Sequence, residues 1–296
     1  MTDAADCAYS VRMDFTDADT ALADALMRVP GIRAVAIGGS RASGMADAAS
    51  DTDMYAFFEG APPQREERAR LLADIADSGF IASSDAFGPE DHLSIGHRDV
   101  EVVYLDLSEL RHQIDIASTT GLMSDGFTTC FLYTVATCVT VDDDGSLRDL
   151  KERVSTYPAA TRRRILIESP ELLETFLSQM TMAYQRGDYE MVAHRRASIQ
   201  ATYFNMLFAL NHRYHPGEKR LLEHTSRLEA LPRDFTRRWR ELQLASVDAP
   251  EITTRTAGLV DELLALVSTR WKTRFSPSRV DEHCEGRPQA DTPSES

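Results

Sequence analysis

The chain has 296 residues, a formal net charge of −15, 43% apolar and 27% charged residues. That acidity disfavours a nucleic-acid partner, which needs a basic stripe to displace counterions, and no apolar run approaches the ~20 residues that span a bilayer. The N-terminal MTDAADCAYSVRMDF has no basic region followed by an apolar core, so a cytoplasmic protein without secretory signal or membrane partner is expected.

Cys7, Cys130, Cys138 and Cys284 are scattered, which suggests neither a disulfide framework nor a zinc site. Residues 16–28 read as a helix capped by Thr16 or Asp17, with an apolar stripe of Ala21, Leu22, Ala25 and Leu26, and Pro30-Gly31 ends it. Strands are expected at 32–37 and 53–58, an amphipathic helix at 64–78, and short strands at Phe80-Ile81 and Leu93–Ile95. DVEVVYLDL at 99–107 is a clear strand, followed by helices from Ser108 and Thr128 and a short strand at Val139–Val141. From Ser146 nearly everything is helical, with helices at 146–155, 159–167, 170–186, 188–213, 218–229, 233–245 and 251–273, punctuated by prolines and glycines. The expected fold is α+β: a catalytic mixed-sheet domain over 1–150, a helical bundle over 151–275 and a disordered tail over 276–296.

The chemistry concentrates in IGGSRASGMADAASDTDMYAFF, residues 37–58. Gly38 and Gly39 permit backbone conformations closed to other residues, and consecutive N–H groups in such a turn form a concavity for phosphate; Ser40 adds a hydroxyl. Asp51 and Asp53, at i and i+2 of a strand, project together. Like charges so close need a cation between them, and Mg²⁺ takes oxygen ligands while bridging to phosphates. The plainer alternatives are a tight turn and a solvated strand entry. A third carboxylate is expected on a later strand: Glu101, well inside VEVVYL, is preferred, with Asp106 its competitor on the other face and Asp99 weaker.

A G-G-S turn, a spacer, D-x-D on a strand and a third acid on a later strand resemble the nucleotidyltransferase superfamily of DNA polymerase beta. The closest form is the two-domain group that includes kanamycin and streptomycin nucleotidyltransferases. VTVDDDGSLRDLKERV and LFALNHRYHPGEKRLLEH also resemble bacterial members of that superfamily. Many members have Asp where this chain has Glu101. The resemblance implies an α/β catalytic domain followed by a helical bundle. It implies that Gly38, Gly39, Ser40 and Arg41 bind a nucleoside triphosphate, that Asp51, Asp53 and Glu101 bind Mg²⁺, and that an acceptor hydroxyl attacks the α-phosphorus with loss of pyrophosphate.

Two further contacts are expected from the helical half. Arg196 interrupts the apolar stripe Val192, Ile199, Tyr203, Met206, Leu210 and is a candidate phosphate contact, the alternative being an arginine snorkelling at the stripe's end. Lys219 follows the Pro216-Gly217 turn, where a cation suits a helix start poorly; related enzymes contact the triphosphate with a lysine of the helical domain, and Lys219 is the matching candidate. His212 and His215 are expected at the surface. The expected activity is Mg²⁺-dependent transfer of AMP from ATP to a hydroxyl of a small molecule such as an aminoglycoside. Alternatives are a protein or tRNA acceptor and a non-catalytic nucleotide-binding regulator; a D-x-D glycosyltransferase would need more than the ~50 residues that precede the motif.

Overall fold

The computed structural model describes residues 13–46, 50–86 and 88–271. Its first compact unit runs to Arg164 and takes back His212–Lys219, while the second holds Ile165–Asn211 and the chain from Arg220. The division therefore falls later than the expected 150, and one loop of the second half is counted with the first. The expected tail at 276–296 lies outside the described residues, as does the end of the helix expected to reach 273.

The first unit contains α1 (Asp17–Leu26), β1 (Ile32–Ile37), α2 (Gly39–Ser43), β2 (Thr52–Phe58), α3 (Arg65–Ala73), β3 (Ala82–Ser84), β4 (Glu90–Ile95), β5 (Arg98–Asp106), α4 (Leu107–Thr119), α5 (Cys130–Thr137), β6 (Val139–Asp143) and α6 (Ser146–Arg153). The six strands form one sheet in the order β3-β4-β5-β2-β1-β6. β2 and β5 are parallel and the other neighbours antiparallel, so the sheet is mixed as expected. The short strand read at Phe80-Ile81 forms at Ala82–Ser84 instead, and Phe80 is 68% exposed.

Side chains alternate across a strand, and this sheet uses both faces differently. Val35 and Ile37 of β1, Met54, Ala56 and Phe58 of β2, and Val100, Val102 and Tyr104 of β5 share a buried cluster with Leu22, Leu26 and Leu72 from α1 and α3. Burying each of the larger of these side chains is worth about 1.5–3 kcal/mol. The other parity carries Asp53, Tyr55, Glu101 and Val103, none of them fully buried.

The start of α1 is tied to the ends of α2 and β2 by one arginine. Thr16 caps α1 in a reciprocal capping box with Asp19: its hydroxyl accepts from Asp19 N, and Asp19 Oδ2 accepts from Thr16 N. The same Asp19 carboxylate accepts from both terminal nitrogens of Arg41, at 2.7 and 2.8 Å, and Arg41 also donates to Thr52 Oγ1 at 3.2 Å. The ion pair is largely buried, with 16% of the Arg41 side chain and 6% of the Asp19 side chain exposed.

In the second unit, α7 (Ala159–Arg186, of which the part from Ile165 belongs here), α8 (Tyr189–Leu210), α9 (Leu221–Thr225), α10 (Phe235–Leu244) and α11 (Ile252–Trp271) are the described helices. Where a break was expected at Pro170, α7 is continuous. An interior proline costs about 3 kcal/mol, and here the buried stripe Ile165, Leu166, Leu173, Leu177 and Met180 runs past it on both sides, which outweighs that cost. The helix expected at 218–229 shrinks to Leu221–Thr225, after Arg220 at a positive φ of 51°. Tyr203, Phe204, Phe235 and Trp239 pack as an aromatic cluster with centroid separations from 4.8 to 6.1 Å, and Tyr203 Oη donates to Leu259 O. No described helix is long and apolar enough to cross a membrane.

Burial pushes the Asp19 carboxyl up, but the Arg41 hydrogen bond, the Thr16 hydrogen bonds and the Arg41 charge more than offset it, so its pKa lies below the ordinary 3.8. The native state therefore binds that proton less tightly than the unfolded chain. Its contribution to stability is complete above the unfolded pKa of about 3.9 and is lost as pH falls through the lower native value. Asp19→Asn should leave Arg41 largely buried without its countercharge and cost about 3 kcal/mol. Denaturant melts at pH 7 and pH 3 check both points: the variant should lose stability at pH 7, and the gap to wild type should narrow at pH 3.

Candidate functional site

The turn after β1 is built around the Asp53 and Tyr55 side chains of the next strand. Gly38 N donates to Asp53 O at 2.8 Å. A Cβ on Gly38 would stand 2.0 Å from the Tyr55 ring. A Cβ on Gly39 would stand 1.6 Å from Asp53 Oδ2, and Gly39 has φ +56°, a region side chains rarely adopt. Both glycines are thus required by close approach, and Gly39 by conformation as well. The next two N–H groups lie near acids of that strand: Gly39 N–H opposes the rise in the Tyr55 pKa, and Ser40 N–H opposes that of Asp53. Of the turn's donors, Gly38 N–H is thus spent on the neighbouring strand. Ser40 Oγ is different. It is buried and has no hydrogen-bond partner, and such groups call for a ligand or other explanation.

Parallel pairing sets Asp53 directly beside Glu101, on the same face by strand alternation. Oxygens of Asp51, Asp53 and Glu101 all lie within 4.8 Å of one another. Asp106, the competing third acid, sits opposite Phe58 at the far end of β5 and accepts from Ser108 N and Oγ as the N-cap of α4. Asp99 pairs with Ser94 at the strand entry. The third carboxylate that geometry brings to the pair is therefore Glu101.

Burial, then the Asp51 charge, raise the Asp53 pKa; Lys219 pulls it back, Glu101 pushes it up again and the Ser40 hydrogen bond lowers it. Lys219 is thus close enough to act on Asp53. It arrives on the His212–Lys219 loop, which is anchored within the first unit. Tyr214 Oη donates to Val154 O and Thr156 O, the Tyr214 ring stacks on Tyr157 at 5.0 Å, and His215 N donates to Thr129 Oγ1. His215, expected at the surface, is 2% exposed, and its Nδ1 accepts from Gly217 N.

Two expected phosphate contacts are placed otherwise. Arg41 is committed to Asp19 and Thr52, as described above. Arg196 donates to Ala245 O, Leu242 O and Gln243 O, carbonyls of the last turn of α10, where helix carbonyls run short of intrahelical partners; it thereby caps that helix, and burial lowers its pKa.

Tyr55 was not among the expected site residues. Burial raises its pKa far above the ordinary 10.0, with the Asp53 and Cys138 charges adding and the Gly39 hydrogen bond opposing; it stays protonated. The D-x-D-x-Y spacing puts it on the carboxylate face, and that alternation was the available signal. Glu90 and His92 of β4 were also missed. With Glu101 they form a second group whose ligand atoms lie within 4.8 Å, and His92 stands opposite Glu101 in register. Placing them required the β4–β5 pairing.

Oxygen donors alone suit a hard divalent cation, and like charges this close favour one. With the orphaned Ser40 hydroxyl and the space Gly39 leaves to Asp53, the residues present fit Mg²⁺ beside a phosphate.

A family model described as a domain of unknown function (DUF4037) matches residues 128–221. No protein of curated function matches the chain. Among solved structures, a nucleotidyltransferase-like protein from Exiguobacterium sibiricum 255-15 is 12% identical, over 83% of this chain and 72% of that one, with a TM-score of 0.39. An aminoglycoside 6-adenyltransferase from Bacillus subtilis is 7% identical, over 88% of this chain and 94% of that one, with a TM-score of 0.35. The span matched by the family model includes both Thr129 and Lys219.

Proposed function

We propose that the chain is a divalent-metal-dependent nucleotidyltransferase that moves a nucleoside monophosphate, AMP from ATP, to a hydroxyl of a small molecule. The observation that carries this reading is the convergence of Asp51, Asp53 and Glu101 oxygens within 4.8 Å. The buried, unpartnered Ser40 hydroxyl and the nearby Lys219 support a triphosphate beside them.

Asp51, Asp53 and Glu101 would hold Mg²⁺, which when bound stabilises charge on the phosphoryl oxygens and lowers the pKa of an acceptor hydroxyl. Ser40 Oγ donates to a phosphate oxygen, gaining the partner it lacks. The Lys219 ammonium offsets charge on the departing pyrophosphate. Gly39 leaves the Asp53 carboxylate its position, and Tyr55, held protonated, supports the turn from beneath. The acceptor oxygen bonds to the α-phosphorus as the bond to pyrophosphate breaks, and the hydroxyl proton passes to solvent. The net charge of −15 suits a cationic acceptor.

The test is incubation with each labelled nucleoside triphosphate and Mg²⁺ against aminoglycosides, lincosamides, tRNA and cell lysate, following pyrophosphate and labelled product. Transfer to a small molecule is the expected result; label on protein or tRNA would move the acceptor to a macromolecule. Triphosphate binding without pyrophosphate release from any acceptor would favour a regulator, and absence of triphosphate binding would end the reading. Asp53→Asn should abolish transfer and Mn²⁺ binding while the circular dichroism spectrum is unchanged. Gly39→Ala forces a Cβ into the Asp53 carboxylate and should weaken Mn²⁺ binding at least about tenfold, measured by titration calorimetry. Lys219→Ala should raise the ATP dissociation constant about 10- to 100-fold, the loss of one charged hydrogen bond, with Mn²⁺ binding in the absence of nucleotide retained.

A further inference from the structure

Arg41 directly follows Ser40, and Thr52 separates Asp51 from Asp53. One guanidinium reaches both places: its NH1 nitrogen donates to Asp19 Oδ1 and to Thr52 Oγ1, its NH2 nitrogen to Asp19 Oδ2. Thr52 is 5% exposed and points to the face of β2 away from Asp53. The residue that Arg41 grips is therefore the one whose two neighbours carry the carboxylates. Asp19 is in turn fixed by the Thr16 capping box, so the first turn of α1 is the rigid end of this linkage.

We propose that Asp19 is a positioning residue for the site: through Arg41 it sets Ser40 and the Asp51–Asp53 pair in register with each other. This rests on the function proposed above, since the value of the register lies in serving a phosphate and its metal together. The geometry favours it over simple fold stabilisation because the linkage ends on Thr52, between the two aspartates, and begins beside the orphaned hydroxyl. A planar guanidinium is suited to it, because one rigid fork satisfies a carboxylate and still reaches a third acceptor.

The experiment compares Asp19→Asn, Asp19→Glu and Thr52→Val with two controls, Thr16→Ala, which removes a cap hydrogen bond but leaves the Arg41 pair, and Leu72→Ala, which opens the core under α3. Mn²⁺ binding is measured by electron paramagnetic resonance, ATP–Mg²⁺ binding by calorimetry, and amide hydrogen exchange over residues 38–46 and 50–54. Asp19→Asn and Thr52→Val should weaken Mn²⁺ binding about 10- to 100-fold, as for other residues that orient metal ligands, and should speed exchange in both segments together. Asp19→Glu should recover most of the binding, because glutamate at this capping-box position keeps the charge and the backbone bond. Both controls should lose stability yet bind Mn²⁺ as the wild type does. Wild-type binding and exchange in Asp19→Asn, or equal weakening in the controls, would overturn the proposal. If the wild-type chain binds neither Mn²⁺ nor ATP, the nucleotidyl-transfer reading fails and takes the catalytic sense of the proposal with it, while the exchange data still decide whether Asp19 holds the two segments together.

Discussion

Three carboxylates whose oxygens lie within 4.8 Å repel one another, and the surroundings of Asp51, Asp53 and Glu101 are arranged to hold them there. Like charges this close repel even when partly screened by water, and with burial the repulsion raises the Asp53 pKa. Side-chain rotation would relieve much of that, so the backbone has to resist it. The parallel β2–β5 ladder places Asp53 opposite Glu101, and the nearby Lys219 charge and Ser40 N–H supply partial compensation. The rise in the Asp53 pKa is the repulsion and burial that these contacts do not cancel.

That constraint gives the glycine turn its meaning. A G-G-S sequence suggests N–H groups offered to a ligand; here Gly38 donates to the Asp53 carbonyl, and the Gly39 and Ser40 N–H groups lie near Tyr55 and Asp53 and lower their pKa values. The turn clasps the strand that bears the acids. The Ser40 hydroxyl is buried without a partner. The glycines are small because a carboxylate and a phenol ring occupy the space their side chains would fill.

Much of this was legible from the chain. The limits of β1 followed from its apolar run and the shared direction of Asp51 and Asp53 from strand alternation, while Lys219 was singled out by its place after Pro216-Gly217 together with the resemblance to enzymes that bring a lysine from their helical domain. Partners separated by long stretches of chain were not legible. Arg41 and Arg196 look alike as isolated cations, and only folding shows that one meets Asp19, 22 residues earlier, and the other meets carbonyls 46 to 49 residues later. Choosing Glu101 over Asp106 for its place inside the strand agreed with the register, but the capping role that occupies Asp106 depended on where α4 begins. Pro170 and His215 misled for the same reason: a local rule was outweighed by burial of the neighbouring apolar residues in one case and by the Thr129 and Gly217 hydrogen bonds in the other.

The return of His212–Lys219 to the first unit bears on how such a chain can be inherited. Its backbone passes between the units after Arg164, after Asn211 and again after Lys219. A gene cut at the first crossing would separate the carboxylates from the lysine that offsets them. It would also deprive Thr129, Tyr157 and the Val154 and Thr156 carbonyls of the partners that Tyr214 and His215 provide. The two halves are thus not interchangeable cassettes. Recombination that swaps the helical half wholesale would import a new loop, and that loop would have to supply what Tyr214 and His215 give the sheet domain here.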